Sequence, residues 1–253
     1  MEHSNKVIEE IFRSEKVTDE SGTEYPLHSS VTPEEGAFIE QLIGDHANIN
    51  KSIEIGCAYG LSSLFICHAL RDRPDSHHII VDPFQASQWH GIGLKNLQLA
   101  GFDRFECIEE RSEFCLPRLV ESGLRIDFAF IDGWHTFDHT LLDFFYINRL
   151  LNIGGVVIID DTDMPPVDKV VKYVKNYPCY RLAGRADTRN IPTRTSRRLL
   201  WKLVRSMPPD RAQRLFSPEL VAEASDGQRS ISTMTAFQKI AEDDRSWSWF
   251  ANF

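Results

Sequence analysis

The chain has 253 residues, 42% of them hydrophobic and 26% charged, enough for one large α/β domain with a buried core. Its formal net charge of −9 argues against general nucleic-acid binding, and no apolar run nears the roughly 20 residues that span a bilayer. The acidic N-terminus lacks the apolar stretch of a secretory signal, and the five cysteines form no CxxC pair, so free thiols in a reducing cytoplasm are expected rather than disulfides or zinc.

In chain order, Val7, Ile8, Ile11 and Phe12 recur at helical spacing and predict a short helix, followed by a loop from Thr18 to Ser30. Thr32-Pro33-Glu34-Glu35 predicts a second helix start, with Thr32 as cap, Pro33 in the first turn and Glu35 completing a capping box. Short apolar runs then appear at Ser52–Ile55, His78–Val81, Phe105–Ile108, Ile126–Ile131 and Val156–Ile159. Helical stretches separate and follow them at Ser62–Leu70, Gln88–Ala100, Glu113–Glu121, Phe137–Leu151 and Val167–Lys175. Gly154-Gly155 reads as the cap that ends one helix before the next strand. With further strands at Cys179–Leu182 and Thr233–Ile240, the alternation predicts a Rossmann-like, doubly wound, mostly parallel seven-stranded α/β sheet with helices on both faces.

The expected organisation is N-terminal helices over 1–48, a core over 49–183, a basic helical insertion over 184–230, and a last strand with its tail over 231–253. The insertion carries Arg185, Arg189, Arg194, Arg197, Arg198, Lys202, Arg205, Arg211 and Arg214 beside Leu199, Leu200, Leu203 and Val204. It reads either as a lid or dimer contact or as a plain solvated helix. Apolar residues there and in the tail (Trp247, Trp249, Phe250, Phe253) suggest a homodimer or higher homo-oligomer.

The first strand of the alternation ends in Glu54-Ile55-Gly56-Cys57-Ala58-Tyr59-Gly60. Ligands of open α/β sheets bind at such carboxyl ends, where glycine lets the backbone come close. The spacing is neither the dinucleotide G-x-G-x-x-G nor a P-loop. Asp82 ends the second strand, and is either an acceptor for a vicinal diol or a turn aspartate. Trp89 either stacks on a flat ligand or packs the connection after that strand. Asp132 follows the fourth strand and Asp160-Asp161 the fifth. Three carboxylates brought together repel one another unless a cation or protons intervene, and hard oxygen ligands suit Mg²⁺. Alternatively Asp132 meets substrate without metal, and Asp160–Asp163 is a capped turn. His135 is either a general base or a surface histidine, with His28, His90 and His139 as rivals.

The stretch Glu54–Ser62 resembles motif I of class I S-adenosylmethionine-dependent methyltransferases, and within them the small-molecule O-methyltransferases. The resemblance extends through Val81-Asp82-Pro83, Gly91–Leu97 with Ala100-Gly101, Ser112, Ile131–His135, Gly154-Gly155 and Asp160-Asp161, covering roughly Ser30 to Lys175. It implies that Glu54, Gly56 and Gly60 line the methionine part of S-adenosylmethionine, that Asp82 holds the ribose, and that Arg111 and Ser112 lie near the adenine. Ala58, Tyr59, Ser62, Pro83, Phe84 and Asp132 complete the expected cofactor set. The usual glycine before that serine is replaced by Glu110-Arg111, which loosens the adenine assignment.

Metal-dependent catechol-type relatives carry Asp after the fourth strand and Asp-Asn after the fifth. Asp160-Asp161 departs from that and is more similar to the macrolide sugar O-methyltransferases and the cephalosporin-hydroxylase-like proteins. In the sugar enzymes a histidine three residues after the first metal aspartate is the proposed base, and His135 stands at that offset from Asp132. The resemblance therefore implies Mg²⁺ on Asp132, Asp160 and Asp161, with Asp132 and His135 catalytic, in O-methylation of a sugar, phenol or natural-product hydroxyl. The alternatives are a non-methylating enzyme on the same fold, and a cofactor-binding scaffold without catalysis.

Overall fold

A computed structural model describes residues 2–186, 189–190, 195–216, 218–226 and 230–251. Arg194 and Phe253, named above, lie outside them. The chain opens with α1 (Glu2–Ser14). The expected loop after it instead holds a small hairpin, β1 (Lys16–Thr18) and β2 (Glu24–Pro26). Asp19 builds its turn by accepting the backbone N–H groups of Ser21 and Thr23, each at 2.9 Å. Next comes α2 (Pro33–Asp45), which starts on the capping box: Glu35 N–H donates to Thr32 Oγ1 at 3.3 Å, and Thr32 N–H to Glu35 Oε2 at 2.8 Å.

Strands and helices then alternate as β3 (Lys51–Ile55), α3 (Leu61–Leu70), β4 (His77–Val81), α4 (Ile92–Leu99), β5 (Phe105–Ile108), α5 (Ser112–Glu121), β6 (Ile126–Ile131), α6 (Phe137–Leu150), β7 (Leu151–Ile159), α7 (Pro165–Val174) and β8 (Tyr180–Ala186). A two-residue strand, β9 (Arg189–Asn190), leads to α8 (Thr195–Arg205), α9 (Pro209–Leu215) and α10 (Pro218–Asp226). The chain returns through β10 (Ser230–Ile231) to β11 (Met234–Lys239).

The main sheet has seven strands in the order β5-β4-β3-β6-β7-β11-β8. The first five are parallel, and β11 runs antiparallel to both its neighbours. Alternate residues of each strand enter different cores, which is why the strands read as unbroken apolar runs. Phe128, Phe130, Val156 and Ile158 pack with α1 to α4, while Ile53, Ile55, Ala129, Ile131, Val157 and Ile159 pack with α5 to α7. Strand order reverses beside β3, so a crevice opens where β3 and β6 end.

Gly154-Gly155 is not a helix cap. The helix ends at Leu150, and Gly154, at φ +88°, lies inside β7 opposite a register shift on β6. A Cβ on Gly155 would stand 2.8 Å from the Asp127 carbonyl oxygen, so glycine is there for strand approach. The helices of the basic segment share a small core of Trp201, Val204, Ala212 and Ala224. Leu199, Leu203 and Leu215 stay exposed, and in the tail Trp249 covers Tyr173 and Tyr177 while Trp247 and Phe250 face solvent. No described helix is long and apolar enough to cross a membrane, and all five cysteines are free.

Candidate active site

A cavity of about 730 Å³ occupies the crevice, within the range of small-molecule and cofactor sites. Its floor is the turn after β3. Gly56 has φ +85°, and a Cβ there would meet the Asp132 carbonyl oxygen at 2.1 Å. Only glycine lets the β3 and β6 ends touch in this way. Ala58 follows at φ +48°. Ser29 (φ +50°) and Asp161 (φ +51°) also line the cavity, so three of the chain's strained non-glycine residues gather here.

Asp82, at the end of β4, holds the turn in place. Its Oδ2 accepts the N–H groups of Cys57 and Ala58 at 3.1 Å and Gln85 Nε2 at 2.9 Å, and its Oδ1 accepts Phe84 N–H at 2.9 Å. It also lines the cavity, with acceptor capacity left on Oδ1. Pro83, Phe84, Arg111, Ser112, Gly56 and Ala58 line it too.

Four residues of the expected cofactor set do not reach the cavity wall. Glu54 is fully buried: strand alternation turns it away from Ile53 and Ile55, toward the Ser63 hydroxyl, which donates to Oε2, and toward His78 Nε2 at 3.5 Å. Gly60 backs onto Gly93, and Ser62 is buried in the first turn of α3. Tyr59 points its hydroxyl at His28 Nε2, 3.1 Å away, with its ring edge-on to Trp89. Trp89 packs its ring edge-on against Tyr59 and also lines the cavity.

The acidic side comes from the ends of β6 and β7. His135 sits between two carboxylates, with Nε2 3.1 Å from Asp132 Oδ1 and Nδ1 3.1 Å from Asp161 Oδ2. Burial pushes the Asp132 carboxyl up to about 6 against the pull of His135. Burial, then Asp132, raises Asp160 well above the usual carboxylate range, and burial raises Asp161. The hydrogen bond that His135 donates to Asp132 raises the imidazole. Burial leads at all three acids and nearby carboxylates add to it, a combination that a cation in the pocket would relieve. Asp132, His135 and Asp161 each offer a ligand atom, all within 4.8 Å of one another. Two Mg²⁺–oxygen bonds span at most about 4.2 Å, so small side-chain adjustments would close the set. Asp160 is not in that trio, and its Oδ1 accepts the Asp161 N–H at 2.8 Å. Among the described residues, the trio that could hold a metal thus has His135 where the sequence reading has Asp160.

Several lining residues were not singled out from sequence. Glu35 reads as a capping residue and is one, but its Oε1 also accepts the Thr233 hydroxyl, and it lines the cavity. Glu113, Trp134, Asp163 and Thr233 line it as well, along with His139, named earlier only as a rival base. No local pattern marks them. Behind the wall stands Asp143 of α6, whose carboxyl is pushed up to about 6 by burial, with the Ser112 hydroxyl and His139 pulling the other way. Its folded pKa thus lies above the ordinary 3.8, so its share of stability is full below about pH 4 and is lost as pH rises through about 6. Asp143→Asn is expected to flatten the stability–pH curve by on the order of 2–3 kcal/mol, read from urea unfolding at about pH 4.5 and about pH 8. Parallel curves for the two proteins would contradict this.

Residues 53–162 match a family model described as a methyltransferase domain. No curated protein matches the chain. Solved structures do. One is the O-methyltransferase TomG from Streptomyces achromogenes, involved in tomaymycin synthesis and solved with SAM: 16% identity, TM-score 0.59, covering 95% of this chain and 91% of that one. Another is the O-methyltransferase from Bacillus cereus in complex with SAH, with 16% identity, TM-score 0.59, and coverage of 92% and 91%. Cofactor-bound Rv0187 from MTB matches at 15% identity and TM-score 0.59, covering 94% and 89%. At such identity the likeness is one of fold: the Rossmann-like arrangement of class I methyltransferases.

Proposed function

We propose that this chain, with its methyltransferase domain over residues 53–162, is an S-adenosylmethionine-dependent O-methyltransferase for a hydroxyl on a small molecule, assisted by a divalent cation. What carries the reading is one cavity that takes in the turn after β3, Asp82, and the group Asp132, His135, Asp160 and Asp161.

S-adenosylmethionine, when bound, supplies a methyl group already activated by its sulfonium, so the protein's task is alignment and proton removal. The close backbone at Gly56 and Ala58 and the acceptor capacity of Asp82 suit a ligand with a vicinal diol. Phe84 and Trp89 exclude water from one wall. Asp132 and Asp161 would hold the cation, Mg²⁺ by their oxygen chemistry, where it would lower the pKa of an acceptor hydroxyl. His135 serves there either as third ligand or as the base that takes the hydroxyl proton. Sugars, phenols and natural-product hydroxyls are the acceptor classes to try. Free thiols fit a cytoplasmic setting, and exposed Leu199, Leu203, Trp247 and Phe250 offer apolar area for self-association.

Calorimetric titration with S-adenosylhomocysteine, in Mg²⁺ and again in EDTA, tests the reading. One-site binding in both buffers, tighter with Mg²⁺, is expected. Binding indifferent to Mg²⁺ would remove the cation from the cofactor's neighbourhood, and no binding in either would remove the reading itself.

A further inference from the structure

Gln85 is fully buried, and two acceptors fix its side chain. Its Nε2 donates one hydrogen to the Ala58 carbonyl at 2.8 Å and the other to Asp82 Oδ2 at 2.9 Å. Only the nitrogen of the amide can face two acceptors, so chemistry sets this orientation. The other end, Oε1, is buried without a hydrogen-bond partner. A buried amide with an idle oxygen costs stability, and the reason for keeping it lies at the cavity wall. Gln85 does not line the cavity, but Ala58 and Asp82 both do.

The Ala58 peptide is held from both sides: its N–H donates to Asp82 Oδ2 at 3.1 Å, and its carbonyl accepts from Gln85. That clasp keeps an alanine at φ +48°, a conformation it otherwise resists. On Asp82, the N–H groups of Cys57 and Ala58 join Gln85 on Oδ2, which commits that oxygen to the protein. Oδ1 accepts one described donor, the Phe84 N–H, and keeps room for a ligand. Gly93 of α4 stands against the clasp. A Cβ there would fall 2.7 Å from the Ala58 carbonyl oxygen and 3.0 Å from Gln85 Oε1, although a residue inside a helix has no need of glycine for its backbone. We propose that Gln85 is a positioning residue, which ties one oxygen of Asp82 to the turn and so aims the other at the hydroxyl pair of the ligand, with Gly93 leaving it the space. The inference rests on the cofactor reading above and adds to it a residue that never touches the ligand.

Calorimetry with S-adenosylhomocysteine and its 2′,3′-dideoxy analogue tests it, because the two differ only in the hydroxyls that Asp82 would accept. Wild type is expected to bind the first at least about a hundredfold more tightly. Gln85→Met keeps the length of the side chain and removes both donated hydrogens. It is expected to shrink that ratio by about tenfold, while the affinity for the dideoxy ligand stays within about threefold of wild type. Gly93→Ala reaches the same clasp from α4 without facing the cavity, and is expected to shrink the ratio likewise. It also carries the test if Gln85→Met does not fold, which a thermal melt reports. A ratio unchanged in either folded variant makes the clasp merely structural and overturns the proposal. Wild type that binds both ligands equally overturns it too, since the hydroxyls are then not read. Wild type that binds neither ligand would remove the cofactor reading itself, which is a different result from an unchanged ratio.

Discussion

Asp132→Asn is expected to lower methyl transfer by about 10²- to 10⁴-fold while leaving the fold intact. The substitution keeps the shape of the side chain at the end of β6 and removes its charge. Two things are lost at once: an anionic ligand of the Asp132, His135, Asp161 trio, and the carboxylate that orients His135 through its Nε2 at 3.1 Å. Since the hydrogen bond that His135 donates to Asp132 is the main cause raising the imidazole, it should titrate lower in the variant, which NMR of the histidine ring can follow. Mn²⁺, used as a paramagnetic probe, should bind wild type and bind the variant at least about tenfold more weakly, for loss of one charged ligand. Turnover of the variant within threefold of wild type, on the best acceptor found, would sink the catalytic assignment. Unchanged Mn²⁺ affinity would sink the cation site.

Gly56→Ala should be the most damaging change of a single methyl group in the chain's central turn. The new Cβ would stand 2.1 Å from the Asp132 carbonyl oxygen and 2.8 Å from its carbon, both backbone atoms just beyond the end of β6. The backbone there, at φ +85°, is also one that alanine resists. Left-handed strain and overpacking each cost about 1–3 kcal/mol, so a loss of about 2–6 kcal/mol and a melting point lower by about 5–15 °C are expected. Binding of S-adenosylhomocysteine should fall by more than about tenfold, because relief requires β3 and β6 to part at the crevice. Gly22→Ala separates the two causes: φ there is +87°, but nothing lies within 4 Å, so it should cost only about 1 kcal/mol. Equal losses at the two positions would show that the clash with Asp132 is absent.

The parallel core was legible because strands buried on both faces spell unbroken apolar runs, and Phe105–Ile108 and Ile126–Ile131 fall where the sequence puts them. The hairpin at β1 and β2 was not, since three-residue strands carry no periodicity and the aspartate that shapes the turn reads locally as any loop residue. Gly154 misled because a glycine after a helical pattern usually caps it, and only the facing strand reveals the register shift. At the site, Asp132 and Asp161 could be found as acids at strand ends. Glu35 could not, because its capping role accounts for it locally while its bond to Thr233 spans 198 residues of sequence. Asp143 hides for a similar reason. In Leu141-Leu142-Asp143-Phe144 it looks like the polar side of an amphipathic helix, and its burial is a fact of tertiary packing alone.

The placement of β11 between β7 and β8 has a consequence for protein synthesis. The turn that carries Asp160 and Asp161 is fastened by Thr162, whose N–H donates to the Thr233 carbonyl at 2.8 Å and whose hydroxyl donates to the Ser232 carbonyl at 2.6 Å. Those carbonyls lie immediately before β11, which the ribosome delivers long after β7. During translation the early strands can assemble as they emerge, but β7 keeps an open edge and the acidic turn stays loose until residues 230–239 arrive. Prolonged stalling before that point would leave an exposed apolar strand edge for chaperones to shield.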